Sequence, residues 1–378
     1  MPQHQEPTPD QRRLTMRAVH RAISDLRRGT PVLIVGQDAA LLVGTAETLG
    51  ARGLADIAAA GLAPPVLLLA PMRAAALLRR PVTQAADQPV VALRLPPEAL
   101  DPLRLRGFAD PTAESLLPTA AEQSASPQLS GAALALAKLG RLLPALVVAP
   151  AAPGVAERLA LLTVQAEDVL GYPISAASSL KRVAEARVPL EDAPEARIIA
   201  FRAADGGIEH LAILVGDPEA SFAAGQAPLA RAHSECFTGD LLGSLRCDCG
   251  PQLRGAIKRM AEDPAGGVLL YLAQEGRGIG LVNKLRAYTL QDRGLDTLDA
   301  NRALGYGADE RNFLVAATML REIGMPRVRL LTNNPDKLSG LAACGIDVVG
   351  REAHAFDPNG VNDAYLDTKA RRFGHMLG

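Results

Sequence analysis

The sequence predicts two α/β domains in tandem. Three observations carry that expectation. The chain has 378 residues, a length that suits two to three domains. Short apolar runs of strand length alternate with alanine-rich helical stretches in both halves. Between the halves lies a charged, proline-bearing stretch that ends VPLEDAPEAR, expected to be a linker over 186–197. The expected domains are therefore 11–185 and 198–378, behind a disordered tail over 1–10.

The elements follow from local pattern. Residues 1–10 are polar and proline-bearing. From 11 to 28, Leu14, Ala18, Val19, Ala22, Ile23 and Leu26 recur at helical spacing, and Gly29 ends the helix. The apolar run at 31–35 reads as a buried strand, as do 66–70, 90–95 and 145–149. An alanine-rich helix is expected over 131–143. Beyond the linker, strands are expected at 198–202, 210–215, 267–272 and 328–332. Helices are expected at 252–261, 279–292, 310–323 and 335–342. No internal repeat is visible.

Composition removes several classes of function. Apolar residues make up 48%, ordinary for packed cores. Aromatics are only 3% and tryptophan is absent, so alanine and leucine must fill those cores. A net charge of −1 gives no basic footprint for nucleic acid, so any phosphate site must be local. Apolar stretches are broken by prolines and Arg73 before reaching the roughly 18 residues of a membrane span. The polar start is unlike a signal peptide. Four cysteines, three of them clustered, point to a reducing compartment and a metal rather than to disulfides. The expectation is a cytoplasmic protein without membrane or nucleic-acid partners.

The cluster is the string RAHSECFTGDLLGSLRCDCGPQL, with Cys236, Cys247 and Cys249 spaced C-x10-C-x-C. A closed structural zinc site takes four ligands, usually from two C-x2-4-C hooks. Three thiolates leave one position open for water, which is how a hydrolytic zinc is built. Three free cysteines in an apolar core are the plainer alternative. The polar neighbours His233, Ser234, Glu235, Thr238, Asp240, Ser244 and Asp248 argue against it.

This string, with YLAQEGRGIGLVNKLRAYTLQD from 271, DTLDANRALGYGADER from 296, VRLLTNNPDK from 328 and the ending YLDTKARRFGHMLG, resembles GTP cyclohydrolase II. The resemblance covers roughly 195–378, about half the chain. It implies zinc-dependent attack on C8 of the guanine of GTP, opening of the imidazole ring and loss of formate and pyrophosphate. The product would be 2,5-diamino-6-(5-phosphoribosylamino)pyrimidin-4(3H)-one, the first intermediate of riboflavin biosynthesis. Cys236, Cys247 and Cys249 would hold the zinc. Tyr288 would position water or move a proton during deformylation. Its pattern alone reads as a half-buried core tyrosine. Asp309 would serve as a proton acceptor. Arg311 would either attack the α-phosphorus or stabilise charge on the α-phosphate. The second role suits a guanidinium that stays protonated. By pattern alone, Asp309 would be the N-cap of the following helix.

The resemblance also implies a nucleotide pocket from Arg231, Ala232, His233, Ser234, Glu235, Gln252 and Thr297. The triphosphate, with Mg²⁺, would meet Glu275, Gly276, Arg277, Thr332 and Lys337. The GRGIG loop has the wrong spacing for a dinucleotide fold, and no P-loop lysine follows it. Glycines at a strand-to-helix turn still let backbone N–H groups approach phosphates. Cys344, at an apolar helix end, reads as a small core hydrophobe. A homodimer is expected. A zinc scaffold or regulatory protein that binds GTP without turnover is the alternative from another class. It predicts losses among Tyr288, Asp309 and Arg311, which are all present.

The amino-terminal half is similar, more weakly, to 3,4-dihydroxy-2-butanone-4-phosphate synthase, through AISDLRRGTPVLIV and LALAKLGRLLPALVV. That family places a divalent metal at an acidic run after its first strand. Here the run is GQDAALLVGTAETL, with only Asp38 and Glu47 acidic, and no histidine lies between His20 and His210. Two isolated carboxylates are too few oxygen ligands for Mg²⁺. The half is expected to be a non-catalytic relative. An unrelated α/β domain is the other reading.

Overall fold

The computed structural model describes residues 8–82, 90–113, 115–118, 120–374 and 376. The chain forms two compact units. One comprises Met1–Ser175 with Val282–Glu310, the other Ala176–Leu281 with Arg311–Gly378. Both are α/β, each with a seven-stranded mixed sheet.

The first unit holds β1 (Val32–Val35), β2 (Ala40–Thr45), β3 (Val66–Leu69), β4 (Val91–Arg94), β5 (Glu122–Ser124), β6 (Ala145–Pro150) and β7 (Thr163–Gln165). Their order is β5-β4-β3-β6-β2-β1-β7. All pairs are antiparallel except β1 with β7. The helices Pro9–Arg27 and Ser130–Leu139 pack Val19, Ile23, Leu26, Leu134 and Leu136 into its core. Residues 1–7 of the expected tail lie outside the described residues. Residues 9 and 10 correct that expectation. They begin the first helix, where Thr8 and Gln11 close a reciprocal capping box.

Strand β2 occupies the stretch expected to be a depleted acidic run. Its residues from Leu41 to Thr45 are buried. A strand covered on both faces shows a continuous apolar run rather than alternation, and LLVGT is such a run. The segment Val282–Glu310 adds the helix Thr297–Ala303 and nearly all of the helix Leu281–Asp292 to this unit. Ala287 and Leu290 are buried on the longer helix.

The second unit holds β8 (Lys181–Arg187), β9 (Arg197–Arg202), β10 (His210–Val215), β11 (Leu229–Ser234), β12 (Gly267–Leu272), β13 (Arg327–Leu331) and β14 (Asp347–Glu352). Their order is β14-β13-β11-β12-β10-β9-β8. Strands β12, β11, β13 and β14 run parallel, and β10, β9 and β8 continue antiparallel. The expected linker begins inside β8, whose seven residues are all exposed. Its charge is that of an edge strand, where Lys, Arg and Glu discourage pairing with another chain. The helix expected from 310 starts at Phe313, because the Asn312 side chain, not Asp309, caps it by accepting from Leu314 N. No helix among the described residues is long and apolar enough to cross a membrane.

Candidate active site

In open α/β sheets, ligands bind beyond the carboxyl ends of parallel strands. Here β11, β12 and β13 end at Ser234, Leu272 and Leu331. The chain then continues into the loops that begin at Glu235, Ala273 and Thr332. Those three loops carry most of the residues singled out in the second unit.

After β11 the chain enters a wide helical turn, Phe237–Leu241. It returns through Cys247 to the helix Cys249–Glu262. This path brings the Sγ atoms of Cys236, Cys247 and Cys249 within 4.8 Å of one another. Cys236 and Cys247 are 3.7 Å apart, far too long for a disulfide. Two thiolates about 2.3 Å from one zinc at the tetrahedral angle stand about 3.8 Å apart. The donor set therefore fits a tetrahedral divalent ion. Gly239 sits against all three residues. A Cβ there would lie 2.8 Å from Cys247 Sγ, 2.9 Å from Cys236 Sγ and 3.0 Å from Cys249 Cβ. Its N–H donates to Cys236 Sγ at 3.3 Å. Hydrogen bonding with Cys236 pushes Cys247 up to about 11 and burial adds to it, against a lowering by Cys249. Cys249 is raised well above the usual thiol range by its hydrogen bonds with Cys236 and Cys247 and by burial. Three thiols so close resist ionisation together, and a divalent cation supplies the charge that reverses this.

Asp240 organises the surroundings. It accepts from Cys236 N at 2.9 Å and from Tyr271 Oη at 3.0 Å. His233 Nε2 lies 3.2 Å from it. A carboxylate only accepts, so that ring nitrogen carries a proton. His233 stacks on Tyr271 at 5.7 Å, and burial lowers its pKa. It is thus held beside the cysteines without joining them. Arg231, also buried, donates to Leu331 O at 3.1 Å and to Gln252 Oε1. Burial pulls its pKa down to about 10, so it stays charged at neutral pH. Gln252 passes the chain on to Asp248, which pairs with buried Lys369 at 2.6 Å. Burial opposes ionisation of Asp248, but the Lys369 ammonium holds it below the usual carboxylate range.

The loop after β12 contains Glu275, which accepts from Phe237 N at 2.6 Å and from Gly276 N at 3.0 Å. It therefore ties the GRGIG loop to the cysteine turn. Gly276 has φ 62° and Arg277 φ 64°, a conformation costly for a side-chain-bearing residue. The Arg277 guanidinium lies 3.7 Å from the ring centre of Phe373. Thr332 is buried and its Oγ1 accepts from Asn334 N at 3.0 Å. Lys337 Nζ donates to Ala232 O at 2.7 Å. Ala232 is buried in β11, Ser234 ends that strand, and Glu235 N donates to Leu272 O at 2.8 Å. Arg311 stands 5.5 Å from the Phe313 ring. Cys344 packs with the second core, away from the thiol set.

Tyr288, Thr297 and Asp309 belong to the first unit. Tyr288 is partly buried on the helix Leu281–Asp292, with Lys284 Nζ 5.7 Å from its ring centre. Thr297 begins the next helix and accepts from Gln291 Nε2 at 3.3 Å. Asp309 lies in the loop before Asn312.

Sequence reasoning did not single out Tyr271, Gln274, Asn333, His354 or Lys369, and it left Asp240 and Asp248 without a role. Arg231 Nε, Gln274 Oε1 and Asn333 Nδ2 are buried with no partner among the described residues. Gln274 and Asn333 each stand two residues past the end of a parallel strand. That position was the signal that could have found them.

The GTP cyclohydrolase II family pattern matches residues 181–353. A GTP cyclohydrolase-2 of Azospirillum brasilense is 50% identical over 378 residues, covering 96% of this chain and 94% of its own. That of Actinobacillus succinogenes is 49% identical over 200 residues, 53% of this chain and 89% of its own. That of Citrobacter koseri is 50% identical over 200 residues, 53% of this chain and 98% of its own. Among solved structures, RibBX, a two-domain 3,4-dihydroxy-2-butanone 4-phosphate synthase from A. baumannii, covers 90% of this chain and 99% of its own. It does so at 17% identity and a TM-score of 0.34, too low to assign a fold or a role.

Proposed function

The chain belongs to the GTP cyclohydrolase II family, and on that premise we propose that it opens the guanine imidazole ring of GTP by zinc-dependent hydrolysis. Formate and pyrophosphate leave, and the diaminopyrimidine product feeds riboflavin synthesis. GTP enters as its magnesium complex. The homodimer and the cytoplasmic location expected from the sequence belong to the same proposal.

The observation that carries this reading is the convergence of Cys236, Cys247 and Cys249 around Gly239, at the carboxyl ends of parallel strands. Zinc bound there would supply a nucleophilic water at neutral pH. The remaining work falls to the chain. Asp240 fixes the Cys236 backbone and the proton on His233 Nε2. The orphaned donors of Arg231 and Asn333 and the orphaned acceptor of Gln274 suit the mixed polar edge of a purine. Each unpartnered buried group costs about 1–3 kcal/mol, which a bound ligand recovers. Positive-φ backbone at Gly276, Arg277, Gly278 and Gly280 and the charge of Arg277 suit the phosphates. Lys337, Thr332 and Glu275 frame that end. For Tyr288, Asp309 and Arg311 the proposed roles rest on the family resemblance: water or proton handling in deformylation, proton acceptance, and attack on or charge stabilisation at the α-phosphate.

Cys247→Ser tests the reading. The native protein should carry about one zinc per chain, and the variant should lose most of it together with ring opening, because two thiolates hold the ion poorly. Full zinc content in the variant would refute the thiol site.

A further inference from the structure

The segment Val282–Glu310, which carries Tyr288, is built into the same unit as residues 1–175. Its principal tie is Arg286. Nη2 meets Glu47 Oε1 at 2.8 Å, Nε meets Asp110 Oδ2 at 3.0 Å, and Nη1 meets Asn283 Oδ1 at 2.8 Å. All three guanidinium nitrogens are therefore engaged. The side chains are 18%, 15% and 17% exposed for Arg286, Glu47 and Asp110. Pairs so shielded from water are screened less than surface ones.

Both carboxylates are fixed before they meet the arginine. The second oxygen of Glu47 accepts from Leu143 N at 2.7 Å. The second oxygen of Asp110 accepts from Thr112 N at 2.8 Å and Thr112 Oγ1 at 2.7 Å. Beneath them Arg73 donates to Phe108 O at 2.7 Å and to Asp110 O at 3.2 Å, pinning the loop. Asn283 Nδ2 adds a bond to Arg141 O at 2.9 Å, and Tyr306 Oη one to Leu142 O at 2.6 Å. The result is a rigid two-carboxylate receptor for one guanidinium. Charge-assisted bonds from separate nitrogens of one planar guanidinium to two carboxylates fix its orientation as well as its position.

We propose that Glu47 and Asp110 clamp Arg286 to set the rotation of the helix Leu281–Asp292 about its axis, so that the amino-terminal unit positions Tyr288 for the reaction. Arg286 and Tyr288 are two residues apart, about 200° around a helix. The clamp therefore does not touch the ring. It grips the opposite side, and any roll of the helix carries the phenol with it. A misplacement of about 1 Å can cost about 10²-fold in rate. Arg286, Glu47 and Asp110 are positioning residues, and the amino-terminal unit acquires a role that needs no chemistry of its own. The inference rests on the deformylation role proposed for Tyr288.

The test uses full-length Tyr288→Phe, Arg286→Met, Arg286→Lys and Glu47→Gln, supplied with magnesium GTP. It reads the ratio of formate to pyrophosphate, with zinc content and melting temperature measured alongside. Glu47→Gln keeps an oxygen for Leu143 N and removes only the charge and the acceptor that face Arg286, so it guards against misfolding. A purely structural loss lowers both products together and leaves their ratio near that of the parent. The expected result is a ratio several-fold below parental in Arg286→Met, as in Tyr288→Phe, with zinc retained. Glu47→Gln should fall in between, and Arg286→Lys should recover part of the loss. If Tyr288→Phe lowers the ratio while Arg286→Met and Glu47→Gln keep it, the clamp is overturned and the Tyr288 role stands. If none lowers it, the Tyr288 role fails and the inference fails with it.

Discussion

His354 is a residue whose burial has a measurable consequence. It is 8% exposed, and its Nε2 lies 2.8 Å from Gln252 O. Burial is the main reason its pKa falls from 6.5 to about 4. Between those values the unfolded chain binds a proton that the folded chain refuses, so stability falls as pH drops through that window and levels below it. The urea midpoint of the parent should therefore drop more steeply from pH 6.5 to 4 than that of His354→Gln, which keeps a donor for the carbonyl. Equal slopes would contradict the account. At this scale the clustering of the three cysteines was legible in residue type and spacing. Asp240 was not, because its role depends on Tyr271, which the β11–β12 pairing brings beside His233.

Among the elements, the turn Phe237–Leu241 has the narrowest tolerance. Gly239→Ala would place a methyl 2.8 Å from Cys247 Sγ and 2.9 Å from Cys236 Sγ. Neither sulfur can move without leaving the cluster. The variant should fold and lose most of its zinc, read as metal per chain after dialysis against a mild chelator. Zinc retained at the parental level would mean that the turn yields more easily than the geometry allows. Strand β11 was missed in the sequence although it is central, because LARAHS carries buried Arg231 and His233 where an apolar strand was sought. The same polar residues carry the proposed nucleotide contacts, so on that proposal illegibility and function share a cause. Strands β10 and β12 were legible as apolar runs of ordinary length. Strand β8 was hidden by the charge that protects an edge.

At the scale of the molecule, the amino-terminal unit should make no dihydroxybutanone phosphate from ribulose 5-phosphate and Mg²⁺. Its two carboxylates in the stretch 36–49 do not converge: Asp38 is exposed, and Glu47 spends both oxygens on Arg286 and Leu143 N. Turnover above a protein-free Mg²⁺ control would overturn this. Local patterning indicated two α/β bodies. It could not show residues 282–310 packing with residues 1–175, because that choice depends on partners such as Glu47, 239 residues away from Arg286. The central claim is the ring-opening reaction itself, and formate is its most direct witness. Zinc-loaded full-length protein given magnesium GTP should release formate and pyrophosphate in equal amounts while the absorbance changes from guanine to diaminopyrimidine. Bound GTP with no formate released would contradict the account and leave a nucleotide-binding scaffold in its place.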